Sequence, residues 1–92
     1  MEFEFDSFKS AQNKYKHGID FYEAQNLWND PFRIEIPAKY VKETRILFIA
    51  EFNNVIWSAV ITYRNYKIRI ISVRKSRKNE KELLNCFDFF LL

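Results

Sequence analysis

The sequence predicts an α+β domain, with two N-terminal helices and a C-terminal helix packed on a four-stranded, mostly antiparallel sheet. Three observations predict it. Apolar residues recur at helical spacing up to about residue 28. After Pro31 the period changes to two and holds as far as about Lys75. Helical patterning then returns, and helices segregated from a strand meander argue for α+β rather than alternating α/β.

The chain of 92 residues suits one domain, 1–92, and is too short for two. Hydrophobic residues make up 48% and aromatics 18%, too apolar for a disordered chain. Large aromatic rings fill a small core with few residues. One glycine and two prolines leave little room for a flexible linker.

Glu2–Phe5 reads as a short strand or an extended lead-in. Asp6 or Ser7 caps a helix over about Phe8–His17, where Phe8, Ala11 and Tyr15 form the apolar stripe. Gly18 stands where a left-handed residue ends a helix, and the dipole there favours a cation at His17. Asp20-Phe21-Tyr22-Glu23 is a capping box that opens a second helix. Its buried stripe is Phe21, Ala24, Leu27 and Trp28, and Asp30-Pro31 stops it.

Phe32–Ile36 alternates and reads as a strand ended by Pro37. Thr44–Phe52 is apolar and β-branched, a second strand. Asn53-Asn54 is a turn, Val55–Arg64 a third strand, Asn65-Tyr66 a two-residue hairpin turn and Lys67–Lys75 a fourth strand. That turn pairs Tyr63 with Ile68, Ile61 with Ile70, Ala59 with Ser72 and Trp57 with Arg74 on the helix-covered face. Arg64, Lys67, Arg69 and Val73 then fall on the other face. Ser76 caps a last helix over roughly Arg77–Phe87, with Leu83, Leu84 and Phe87 turned inward.

The net charge of +3 conceals a division. Residues 64–81 carry eight cations against Glu80 alone, +7, while the rest of the chain carries seven cations and eleven acids, −4. A basic stretch on an acidic body favours a polyanion bound through one face; the plainer alternative is a solvated strand edge and helix surface. Arg64, Lys67, Arg69, Arg74, Lys75, Arg77 and Lys78 are its candidates for gripping RNA phosphates. On α-helical spacing Lys9, Asn13 and Lys16 share another face of the first helix.

Several chemistries are excluded. Cys86 is the one cysteine, so no intrachain disulfide forms, and it reads as an ordinary thiol in a reducing cytosol. One His and one Cys cannot build a zinc cluster of ordinary spacing. No Gly-rich loop cradles a nucleotide, no paired-carboxylate metal site stands out, and no cofactor is implied. The acid–Phe alternation at the N-terminus does not read as a signal peptide, and no apolar run approaches the ~18 residues of a membrane span. A cytoplasmic protein without membrane contact is expected.

What remains suits phosphodiester chemistry on RNA, which carries its own nucleophile in the 2′-hydroxyl. Arginine forks match phosphate oxygens. His17 is the only imidazole, the side-chain type most often used to move protons in catalysis. Tyr63 and Tyr66 are candidates for stacking on bases or moving protons, although strand tyrosines are usually packing residues.

Three segments resemble the BrnT toxin family. Phe5-Asp6, Lys9, Asn13, Lys16-His17-Gly18-Ile19-Asp20-Phe21 and Glu23-Ala24 resemble its opening. Trp57 to Arg64 resembles its third strand, and Ile68 to Lys78 with Glu80 its signature strand and helix start. The resemblance spans about residues 2–84, with no motif claimed in 32–52. It implies a RelE-like fold and a type II toxin that cleaves RNA without metal and inhibits translation. It implies a BrnA-type ribbon-helix-helix antitoxin whose dimer brings two toxins into a hetero-tetramer and onto operator DNA. Carried onto this chain, it implies that Arg74 and Arg77 hold the scissile phosphate, that Arg64 stabilises charge, and that His17 transfers the proton. Lys16, Lys67, Lys75 and Lys78 then bind RNA; for Arg69 a solvated or antitoxin-facing role is the expectation. The apolar tail Phe87-Asp88-Phe89-Phe90-Leu91-Leu92 departs from the charged ends expected of the family, as core padding or as an interface. A non-catalytic nucleic-acid binder and an antitoxin-docking module are the competing readings.

Overall fold

Two hairpin turns organise the sheet. The computed structural model describes residues 2–38 and 44–91, excepting the side chains of 85–91. Asn53 and Asn54 have φ of 53° and 62°, and Asn65 and Tyr66 have φ of 52° and 64°. Positive φ at both central residues defines type I′ turns, whose twist suits hairpins. They join β3 (Arg45–Phe52) to β4 (Val55–Arg64), and β4 to β5 (Lys67–Lys75), as the sequence predicts.

The predicted four-stranded, mostly antiparallel sheet is corrected to a five-stranded mixed sheet of order β1 (Glu2–Glu4), β5, β4, β3, β2 (Ile34–Ala38). The added strand β1 (Glu2–Glu4) pairs parallel to β5, Glu2 beside Lys67 and Glu4 beside Arg69. No turn signal announces a pairing between opposite ends of a chain. The edge strand β2 spans Ile34–Ala38, so Pro37 lies within it rather than ending it. An edge strand tolerates proline because one side needs no N–H donor.

The first helix, α1, covers Ser7–His17. The Asp6 carboxylate accepts from the Phe8 and Lys9 N–H groups, and Gly18 closes the helix at φ 81°. Its orientation reverses the expected one. Phe8 and Tyr15 are 72% and 93% exposed, Ala11 is exposed, and the buried residues are Ser10 and Asn13. Hydrogen bonds, not apolar contacts, hold this face inward. The Phe21 N–H donates to Ser10 Oγ at 2.9 Å. Asn13 Nδ2 donates to the carbonyls of Ile19 and Val73, both at 2.8 Å, and Asn13 Oδ1 accepts from the Val73 N–H at 3.1 Å. One amide therefore pairs with β5 where β1 has ended.

The capping box is reciprocal: Glu23 N–H donates to Asp20, and Asp20 N–H to Glu23. The segment it opens is a 3₁₀ helix, Glu23–Asn29, not the expected α-helix. Ala24 and Leu27 are three residues apart, and 3₁₀ geometry stacks i and i+3 in line; Phe21 precedes them in the turn that leads into the helix. All three are fully buried against Phe48, Ala50, Trp57, Ala59, Ile61, Ile68, Ile70 and Val73. Trp28 stacks on Phe48 with ring centroids 4.1 Å apart and takes Phe3 edge-on at 4.9 Å. The final helix, α2, spans Lys78–Leu91. Leu84 is buried, Leu83 is not, and the predicted inward turn of Phe87 and role of the tail lie outside the described side chains.

Replacing Asn13 by Ala leaves three buried backbone groups without a partner and is expected to cost about 3 kcal/mol in urea unfolding. Tyr15→Ala, on the opposite side of the same helix, is expected to change stability by less than about 0.5 kcal/mol.

Candidate nucleic-acid interface

The hairpin register is as predicted from Arg64–Lys67 to Ile61–Ile70 and then slips by one. Val60 pairs with Ser72, Ala59 with Val73, Ser58 with Arg74 and Trp57 with Lys75. Ile71 is the extra residue, a β-bulge in β5. A one-residue slip exchanges the faces of every later side chain. Val73 therefore enters the core in place of Ser72, and Arg74 moves to the opposite face. Arg64, Lys67, Arg69 and Arg74 now share one face, together with Ser58 and Thr62.

Arg74 is anchored there by Glu80. Its Nη1 and Nη2 donate to Glu80 Oε1 and Oε2 at 2.7 and 2.8 Å, a bidentate fork. Oε1 also accepts from Ser58 Oγ at 2.9 Å and from the Arg77 N–H at 2.8 Å. The Arg77 carbonyl accepts the Lys81 N–H at 3.0 Å, so Arg77, not the predicted Ser76, is the helix cap. Glu80 is then the residue three positions on that reaches back to the cap N–H. The Ser76 hydroxyl instead meets Ser58 Oγ at 2.7 Å. The Arg74 fork holds the Glu80 carboxyl down to about 2, aided by Arg77 and Ser58 and opposed by burial. Arg74 is in turn raised above its ordinary value by Glu80.

A second set of groups converges beside the bulge. Lys9, Gln12, Lys16 and His17 of α1 line a groove with Ile71 and Ser72 of β5. Ser72 stands two residues before Arg74 on the same face. His17 and Lys16 are exposed. Arg64 pairs with Lys67 and Arg74 with Ser58, six residues apart on β4, which is about 20 Å along the strand. The structure thus brings His17 and Lys16 to the bulge and sets Arg64 at the far end of the face.

The basic stretch is partly neutralised. Lys67 meets Glu2 at 3.7 Å and Arg69 meets Glu4 at 3.8 Å. Both acids come from β1, whose pairing was not foreseen. Arg64, Lys75, Lys78 and the Arg77 guanidinium are exposed and make no ion pair among the described residues. Tyr63 donates to Glu35 at 2.5 Å; burial first, then this bond, pushes its phenol up to about 12. That makes it a poor proton carrier near neutrality. Sequence reasoning missed Glu80, Ser58 and Lys9 as parts of the site. For Glu80 a signal existed, since a Glu three residues after a helix start is a capping position.

Among the described residues, no three His, Cys, Asp or Glu side chains cluster as metal ligands, and no helix is long and apolar enough to cross a membrane. Fold and face together define a small α+β protein with a cation-lined sheet surface. A family of ribonuclease toxins of type II toxin–antitoxin systems, BrnT, has a sequence model that matches residues 5–80, and the chain belongs to that family. No individual curated protein matches it.

Acid titration tests the Glu80 cluster. A carboxyl held below its unfolded value adds stability above about pH 4.5, and that stability is lost as pH falls towards 2. The full shift corresponds to at most about 3 kcal/mol. Urea midpoints between pH 7 and 2.5 are expected to show this loss, and Glu80→Gln is expected to lower stability at pH 7 by about 2 kcal/mol and flatten the acid limb.

Proposed function

We propose that the chain, as one toxin domain over residues 1–92, is a cytoplasmic endoribonuclease that cleaves RNA without a metal ion and so inhibits translation. The 2′-oxygen attacks the adjacent phosphorus, the bond to the 5′-oxygen breaks, and a 2′,3′-cyclic phosphate and a 5′-hydroxyl result. The proton leaving the 2′-hydroxyl is matched by one delivered to the 5′-oxygen. His17 is the proton-transfer group of this chain, standing in a groove with Lys9 and Lys16 that draws the phosphate. Arg77 and Arg74 hold the scissile phosphate, and Lys75 and Lys78 add positive potential. Arg64, about 20 Å along the face, stabilises charge on a flanking phosphate rather than the scissile one. Lys67 and Arg69 contribute less, being partly neutralised by β1. The observation that carries the reading is the bulge at Ile71, which turns Arg74 onto the cationic face beside the His17 groove.

The partner is a BrnA-type antitoxin with a ribbon-helix-helix part. An antitoxin dimer carries two toxins as a hetero-tetramer and takes the complex to operator DNA. An acidic antitoxin segment that covers the basic face blocks RNA by the same charges that bind it.

Purified protein is expected to cleave single-stranded RNA in excess EDTA, with loss of activity in EDTA counting against the metal-free route. His17→Ala and Arg77→Ala are expected to lower the rate at least about 100-fold while keeping the wild-type unfolding midpoint. Full activity in both variants would overturn the site. Salt-sensitive RNA binding without product would favour the non-catalytic reading. Growth arrest on expression is expected to be relieved by an adjacently encoded ribbon-helix-helix protein, and the purified complex to have the mass of two toxins and two antitoxins.

A further inference from the structure

The tip of the β4–β5 hairpin carries an expense that the fold does not explain. The second central residue of a type I′ turn favours glycine, because φ is positive there. The β3–β4 hairpin meets the same demand with Asn54, a residue that tolerates left-handed backbone. The β4–β5 hairpin places Tyr66 there, at φ 64°. Its ring is fully exposed, with a relative accessibility of 102%, and it makes no hydrogen bond or ring contact among the described residues. A strained backbone supports a side chain that packs against nothing.

Its surroundings supply a reason. Tyr63, Arg64, Asn65 and Tyr66 line one surface groove. The Tyr63 ring is a fixed wall, tied to Glu35. Arg64 makes no ion pair among the described residues, whereas Lys67 and Arg69, the next cations along β5, are met by Glu2 and Glu4. The tip therefore offers an aromatic face and an uncommitted guanidinium side by side. That combination matches an unstacked nucleotide: the ring takes the base, the guanidinium its phosphate.

We propose that Tyr66 and Arg64 form a base-stacking subsite for single-stranded RNA that engages a nucleotide flanking the cleavage point. The subsite rests on the reading of the basic sheet face as an RNA surface. It lies about 20 Å along the strand from Arg74 and so engages a different nucleotide from the one at the His17 groove. Tyr66 is a binding residue here and takes no part in bond breaking. A stacking platform discriminates single from double strands, since a paired base has no free face to offer.

The test separates the ring from the turn. Tyr66→Phe, Tyr66→Ala and Tyr66→Gly are compared in binding a 2′-O-methyl single-stranded RNA oligonucleotide, which cannot be cleaved through its 2′-oxygen. Tyr66→Phe is expected to bind like the wild type. Tyr66→Ala and Tyr66→Gly are expected to lose about tenfold in affinity. Tyr66→Gly is expected to raise the thermal midpoint at the same time, because glycine relieves the backbone. Wild-type affinity in Tyr66→Gly would overturn the inference, as would equal losses in Tyr66→Phe and Tyr66→Ala, or a wild type that does not bind the oligonucleotide. Weakened antitoxin binding with unchanged RNA affinity would also overturn it, making the tip a protein contact. Cleavage of a dinucleotide, too short to reach the tip, reports on the ribonuclease reading separately. Its absence in the wild type would count against the ribonuclease while the oligonucleotide affinities still decide the subsite.

Discussion

The extra residue at Ile71 sets the position of almost everything that bears on chemistry. Without it, Ser72 and Arg74 point at the hydrophobic core and Val73 at solvent. With it, Val73 completes the core and Arg74 joins Arg64, Lys67 and Arg69 on the opposite face. The bulge also exposes the N–H and C=O of Val73 along the β5 edge just past the end of β1, and Asn13 takes both. A single backbone irregularity thus fixes the docking of α1, and with it the position of Lys16 and His17. Bulges re-aim side chains at a local cost in ladder hydrogen bonds. Here part of that cost is offset by the Asn13 amide.

The cations of residues 64–81 then divide by their partners. Arg74 is committed to Glu80, which is itself committed to Ser58 and the helix cap. Such an arginine holds its guanidinium in one orientation and keeps two donors to spare, since the fork and a bond to the Lys75 carbonyl use three of five N–H groups. Lys67 and Arg69 share their charge with β1. The Arg64 and Arg77 guanidinium groups, near opposite ends of the stretch, make no ion pair among the described residues. A charge sum of +7 therefore overstates the field at the middle of the face and understates how it is focused at its two ends.

Helix α1 shows why polarity patterns mislead at such a surface. Its most apolar stripe, Phe8, Ala11 and Tyr15, faces solvent, and its small polar residues face the sheet. The position α1 fills is a sheet edge with open hydrogen-bonding groups, and an apolar side chain there leaves them unsatisfied. Buried polar groups need partners more than they need apolar cover. Asn13 is worth more at that edge than any aromatic ring.

The local backbone devices were legible in the residue order. Asp6 and Gly18 bound α1, Asp20 and Glu23 reciprocate, and the bounds Val55–Arg64 and Lys67–Lys75 follow from the two hairpin turns. Each depends on a few neighbouring residues whose torsional and hydrogen-bonding preferences are intrinsic. The segments Lys16-His17-Gly18 and Arg69 to Arg74 resemble the family whose model matches residues 5–80. The bulge, the parallel β1–β5 pair, the inward face of α1, the 3₁₀ form of the second helix and the Arg74–Glu80 fork were fixed on folding. These join groups far apart in the chain, Asn13 with Val73 across sixty residues and Glu2 with Lys67 across sixty-five. Their register is set by which buried groups find partners once the sheet has closed. The site lives in that second set, so the residue types that make it were legible, and their arrangement was not.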